Sequence, residues 1–281
     1  MDGGEVELLA DEDLPGGWWV LLDRVRQSYV SLDDPTYLEF PYVQVLAGTI
    51  DALPPGPLEA VHVGGGGATL TRWLAAVRPG SVQVVFDTHE ELRRIVRHRL
   101  PLQADSGVDF RLGDGRSGVA GLPADSADVV VIDAFSGGRV PAGLGTAEFF
   151  ADVSRVLRPS GILLMNTTGR KTSHYVRRLM AAISASFPEV AVHGDSLSAV
   201  GNLVIAATAG GRLTNVDHPA DDGPMGAPIA LSGATLAGFI GAAEPLTDAS
   251  PMRSPVPPDE TWRVGGDRPG PGSVDDESVT L

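Results

Sequence analysis

The residues able to do chemistry gather at the ends of apolar runs. Val61-His62-Val63 leads straight into Gly64, Gly65, Gly66 and Gly67, and a helix pattern starts at Ala68. Glycines without a Cβ let a ligand approach the backbone, and the unpaired amides of a helix start favour a polar or anionic group. A second apolar run ends in Asp87, a carboxylate placed to accept both hydroxyls of a ribose. A third ends in Gly113-Asp114-Gly115, where the carboxylate can take a hydrogen bond from an adenine amino group. A fourth ends in Asp133, followed by Ala134-Phe135-Ser136-Gly137-Gly138. Desolvated by the apolar strand before it, that carboxylate is a stronger base toward an amine or a hydroxyl.

Each of these residues also has a plainer use. The glycines can make a tight turn, Asp87 can cap a helix, Asp114 can sit in an Asp-Gly turn, and Asp133 can cap a loop. Four glycines in succession are entropically costly for a turn alone, which favours a ligand. The run is not G-x-G-x-x-G and lacks the Lys-Ser/Thr of a P-loop, so NAD and ATP fit it less well than another adenosyl compound. Tyr42 and Gln27, upstream of the glycines, can fold over such a ligand as a lid, although Tyr42 on an apolar helix face also suits a core. His62 reads as structural, within a buried strand. His89 and Glu90 read as first-turn decoration. Ser28, Thr71 and Ser136 have no His-Asp partners at triad spacing, and the six histidines show no metal-ligand pattern.

Alternating strands and helices must position these residues. Strands are expected at 59–63, 81–86, 108–112, 127–132 and 161–166, with helices at 68–77, 88–99, 146–157 and 173–186. The strands are apolar throughout, as in a parallel sheet covered on both faces. Two closely spaced strands at 190–193 and 202–208 imply an antiparallel pair at the edge, making seven strands. That ground plan is the Rossmann-like fold of class I S-adenosylmethionine-dependent enzymes. Ahead of it, 18–22 and 25–32 form a hairpin, 37–50 a helix, and Leu53-Pro54-Pro55-Gly56-Pro57 a break. The expected divisions are a mobile N-terminus at 1–16, hairpin and lid at 17–57, adenosyl-binding domain at 58–210, an extension at 211–249 that includes a helix over 229–243, and a disordered acidic tail at 250–281.

The chain has 281 residues, 43% of them hydrophobic, enough for one such domain with extensions. Without cysteine there are no disulfides, thiolate metal sites or cysteine nucleophile, a composition compatible with the cytoplasm. No apolar run is long enough for a membrane span. A net charge of −15 disfavours a nucleic-acid partner. It either steers a cationic small molecule inward or serves solubility alone.

Over residues 20–210 the chain resembles the spermidine/spermine synthases, the polyamine aminopropyltransferases, and within them the bacterial spermidine synthase-like branch. Leu22-Asp23-Arg24-Val25-Arg26-Gln27-Ser28 is similar to the L-D-G-x-x-Q-x hairpin, Glu39-Phe40-Pro41-Tyr42 to E-F-x-Y, and Gly113-Asp114-Gly115 to G-D-G. The resemblance implies aminopropyl transfer from decarboxylated S-adenosylmethionine to a small amine, without a metal, in a homodimer. It casts Asp133 as catalytic base, Tyr42 as substrate-channel tyrosine, Asp87 as ribose acid, and the glycines, Asp114 and Gln27 as cofactor contacts. The chain departs from the pattern at Gly67, where the family's glycine loop carries Asp, at Ser136, the second Asp of D-S-S-D-P, and at Gly48 in place of His. Two carboxylates that would hold cationic amines are thus replaced. A helix start without that Asp suits an anionic tail, so intact S-adenosylmethionine, and with it methyl transfer, is the alternative expectation. A non-catalytic homologue that binds an adenosyl ligand is a further one.

Overall fold

The structure, a computed structural model, describes residues 4–194, 200–208, 210, 213, 225 and 229–256. It opens with three antiparallel strands, β1 (Val6–Ala10), β2 (Gly17–Leu22) and β3 (Val25–Ser31). The β2–β3 turn, Asp23-Arg24, takes positive φ at both residues (51° and 64°), the turn geometry that matches strand twist. The sequence expectation of a mobile segment ahead of a bare hairpin is corrected over Val6–Ala10, which form a third strand. Val6 pairs with Leu22 and Ala10 with Trp18 across an antiparallel ladder. Alternation explains the strand, because Val6 and Leu8 turn inward onto the cluster of Val20, Val30 and Leu92.

Helix α1 (Pro41–Asp51) starts later than the expected 37, since proline suits the first helical position and disfavours helix before it. The main sheet then builds from β4 (Glu59–Val63), β5 (Val82–Asp87), β6 (Val108–Leu112), β7 (Ala127–Ile132) and β8 (Leu157–Gly169), all parallel. Between them lie α2 (Thr69–Val77), α3 (Glu90–Arg99), the short α4 (Gly115–Ala120) and α5 (Ala147–Val156). After α6 (His174–Ser184), β9 (Glu189–His193) and β10 (Gly201–Thr208) add antiparallel strands.

Among the described residues the sheet has eight strands rather than seven, in the order β11-β9-β10-β8-β7-β4-β5-β6. The extra one is β11 (Ile229–Ser232), antiparallel to β9, where the apolar run suggested the start of a helix. Gly233, at φ +49°, redirects the chain from strand into α7 (Gly233–Ile240). Apolar side chains fill both faces. Val61, Val63, Val130 and Ile132 meet α5 and α6, whereas Ala60, Val129 and Val131 meet α1 and α2. The match to a methyltransferase-type Rossmann fold is plain in this topology.

Register decides what the carboxyl edge presents. Val63 is level with Phe86 on one side and Ile132 on the other. Gly64, Asp87 and Asp133 therefore leave the sheet side by side, at the point where strand order reverses and ligands bind in such sheets.

The expected tail at 250–281 begins instead as an ordered strap over 251–256; residues 257–281 lie outside the described residues. Ser254 is fully buried and anchors the strap: its hydroxyl accepts from the Val140 amide at 2.9 Å and shares a hydrogen bond with Thr168 at 2.8 Å. Ser254→Ala leaves the buried Val140 amide unpaired, so we expect a loss of about 1–3 kcal/mol in chemical denaturation.

Candidate active site

Beyond the strand ends lies a cavity of about 1050 Å³. Its walls include Gln27, Tyr42, Gly64, Gly65, Gly66, Asp87, Asp114 and Asp133, so most of the residues singled out in the sequence meet in one space.

The glycine loop is shaped by close approach as much as by any ligand. Gly64 has φ +95°, and a Cβ there would stand 2.2 Å from the Asp133 carbonyl oxygen. Only glycine lets β4 and β7 discharge their loops so near each other. Gly67 is buried and stands away from the cavity wall. Its amide donates to the Ser28 hydroxyl at 2.8 Å, and a Cβ would lie 2.8 Å from Val30 Cγ2 and 2.9 Å from Ser28 Cβ. The aspartate expected there by resemblance has no room, because β3 occupies its place. Helix α2 follows from Ala68 with no side-chain cap and no acid in its first turn. Its leading amides thus keep their preference for negative charge.

Asp87 holds the loop as well as facing the cavity. One carboxylate oxygen accepts from the Gly65 amide at 2.8 Å, the other from the His89 amide at 2.7 Å. The helix cap that competed with the ribose reading falls to its neighbour: His89 Nδ1 accepts from the Leu92 amide at 3.1 Å. With Nδ1 accepting, Nε2 carries the proton, and it is buried without a partner among the described residues. A donor of that kind beside a carboxylate suits the hydroxyls of a bound ribose. Asp114 does cap a helix, accepting from the Ser117 amide at 2.9 Å and hydroxyl at 2.8 Å. Burial would raise its pKa, but these bonds and the Arg116 charge outweigh that and hold the carboxyl below its usual value.

Asp133 occupies the centre. The Asn166 side-chain amide donates to one oxygen at 2.9 Å, and the Tyr42 hydroxyl reaches the other at 3.3 Å. Burial pushes the carboxyl above its usual value, against the lowering effect of these two donors. Tyr42 is itself driven well above the ordinary phenol range by burial and by the Asp133 charge, so it stays a donor. Tyr42 is thus both packed in the α1 core and part of the site.

Ser28, Asn166 and His89 were not read as site residues in the sequence. Asn166 had a signal: it is the first polar residue after Ile162-Leu163-Leu164-Met165, at the edge where ligands bind. Ser28 had none, because only the folded β3 brings it to the glycine loop. Among the described residues no group of three acids or histidines could hold a metal ion, and no helix is long and apolar enough to cross a membrane.

The Asp133 shift carries a stability consequence. A carboxyl whose folded pKa lies above its unfolded value costs nothing when protonated, and its cost grows as pH rises through that range. Asp133→Asn should therefore melt higher than the parent at neutral pH. Thermal melts at falling pH should show the difference closing as the parent carboxyl takes up its proton.

Comparison with known proteins agrees with the geometry. A family model described as a methyltransferase domain matches residues 61–165. A polyamine aminopropyltransferase of Chromobacterium violaceum is 26% identical over 175 residues, 60% of this chain and 66% of that protein. One from Vibrio vulnificus is 30% identical over 148 residues, 52% of this chain and 49% of that protein. The chain thus spans between about half and two-thirds of these curated relatives. The crystal structure of a probable spermidine synthase from Corynebacterium glutamicum superposes with a TM-score of 0.75 at 25% identity, covering 86% of this chain and 92% of that one. In sequence and in fold, then, this chain is similar to the polyamine aminopropyltransferases and to spermidine synthase, over a methyltransferase-type core.

Proposed function

We propose that the protein transfers an aminopropyl group from decarboxylated S-adenosylmethionine to a small amine. The observation that carries this reading is Asp133, half-buried at the switch point, fixed by Asn166 and Tyr42, and facing the same cavity as Asp87. Gly65 and Asp87 suit the ribose, with Asp114 near the base and Gln27 closing from β3. The co-substrate supplies an electrophilic methylene on its sulfonium; the amine nitrogen bonds to that carbon as the carbon–sulfur bond breaks, releasing neutral 5′-methylthioadenosine. Asp133 takes the amine proton. Tyr42 and Asn166 keep both carboxylate oxygens in place, so the contribution of the protein is positioning and desolvation. The similarity to polyamine aminopropyltransferases and spermidine synthase supports the same reaction.

Incubation with putrescine and decarboxylated S-adenosylmethionine should yield methylthioadenosine by mass spectrometry. Asp133→Asn should cut the rate by about 10²–10⁴-fold, the usual worth of a general base. Wild-type protein that makes no product from any diamine would overturn the reading.

One observation supports a second reading. The β3 strand fills the place of a carboxylate at Gly67, and the start of α2 carries no acid, which suits the carboxylate tail of intact S-adenosylmethionine and methyl transfer. The methyltransferase-domain match agrees with it. Calorimetry separates the two: aminopropyl transfer requires tighter binding of the decarboxylated compound, methyl transfer of the intact one.

A further inference from the structure

The cavity does not stop at Asp133. Val43, Thr71, Val131 and His62 also line it, although each is at most 5% exposed, so it runs down between the sheet and helices α1 and α2. His62 is level with Val131 on the neighbouring strand, and Asp133 lies two residues farther toward the carboxyl edge. Both side chains lie on the α1 and α2 face, with their Cα atoms about 8 Å apart by strand spacing and rise.

A buried relay fixes which nitrogen of His62 can act. Gln83, fully buried, donates its amide NH₂ to the Thr71 carbonyl at 3.0 Å. Its carbonyl oxygen therefore faces His62 Nε2, at 3.0 Å, and only an N–H can satisfy it. The proton of the neutral ring is held on Nε2, leaving Nδ1 with a lone pair that can accept. Burial drives the imidazole pKa down to about 4, so the ring is neutral. His62 lines the cavity, so a ligand bound there can meet that lone pair.

We infer that His62 Nδ1 accepts a hydrogen bond from an aliphatic amine of the bound substrates, at the floor of the cavity below Asp133. The inference rests on the aminopropyl-transfer reading for the choice of ligand. The amine belongs either to the aminopropyl tail of the adenosyl compound or to the distal end of a diamine acceptor. A neutral acceptor here supplies part of what the replaced carboxylates would give, without burying another charge.

Imidazole ¹⁵N NMR tests the proposal directly, with His62→Gln identifying the signal. In the free protein Nδ1 of His62 should be the unprotonated nitrogen and Nε2 the protonated one. Decarboxylated S-adenosylmethionine or putrescine should then move Nδ1 toward a hydrogen-bonded position, while methylthioadenosine, which lacks the amine, should not; whichever of the two moves it identifies the amine. A protonated Nδ1 in the free protein overturns the inference, as does an equal shift with methylthioadenosine. Calorimetric binding of both amine compounds without a shift overturns it too and leaves the aminopropyl reading standing. No binding of either compound overturns both. As a second arm, His62→Phe paired with Gln83→Leu removes the relay as a unit, so that neither side chain of the pair is left polar and unpartnered. It should weaken amine binding roughly 10- to 100-fold, the range for a bond to a charged donor, with methylthioadenosine affinity kept. Unchanged amine affinity in that variant also overturns the inference.

Discussion

The Gly64 backbone lies against the backbone of Asp133, and the remaining geometry of the site follows from that contact. Any side chain at Gly64 would enter the Asp133 carbonyl, so the β4 and β7 loops can diverge this tightly only at glycine. The Asp133 amide in turn donates to the Val63 carbonyl at 2.9 Å, and the Gly64 amide to the Phe86 carbonyl at 2.9 Å. These bonds continue the ladders one residue past each strand. They bring Asp133 and Asp87 to the two flanks of the glycine loop, and the cavity is the space left between.

The three-stranded sheet is a working part of that loop. Ser28 accepts the Gly67 amide, and Thr69 donates its hydroxyl to the Tyr29 carbonyl at 2.6 Å. Gly66 and Gly67 are thus glycines because β3 lies on them, with Gly66 at φ +47° and Ser28 Oγ 2.6 Å from where its Cβ would be. The glycines have two sources of constraint: β7 on one side, β3 on the other. The cost of so many flexible residues is offset by packing that no other residue type permits.

Much of this was legible in the sequence. Apolar runs ending in Asp87, Asp114 and Asp133 are short, local patterns, and strand register places them together. The alternation of strands and helices was read from the same runs. What was hidden depends on contacts distant in sequence. Val6 and Leu8 look like part of an acidic tail until β2 offers them a partner. The 229–243 run reads as helix because nothing local announces that β9 has a free edge for Ile229–Ser232. His62 reads as a core residue because its meaning lies in Gln83 and Thr71, on other elements. Ser254 sits in a Pro- and Ser-rich stretch, and its meaning lies in the Val140 amide and the Thr168 hydroxyl it meets.

As the base of the proposed reaction, Asp133 has to meet two demands. Burial makes a carboxylate more basic but also favours its neutral form, which has no proton-accepting use. Hydrogen bonds from Asn166 and Tyr42 act in the opposite sense and hold the ionised form in place. A lysine or arginine partner would have pulled the pKa far lower and weakened the base; a neutral amide and a phenol do less. Tyr42 can serve only because its own ionisation is suppressed by the same burial and by the charge it supports. The pair is therefore self-consistent: each group keeps the other in the protonation state that a proton-accepting carboxylate requires. The His62 relay repeats the logic one layer down, with neutral donors and acceptors fixing the tautomer of a ring that lines the same cavity.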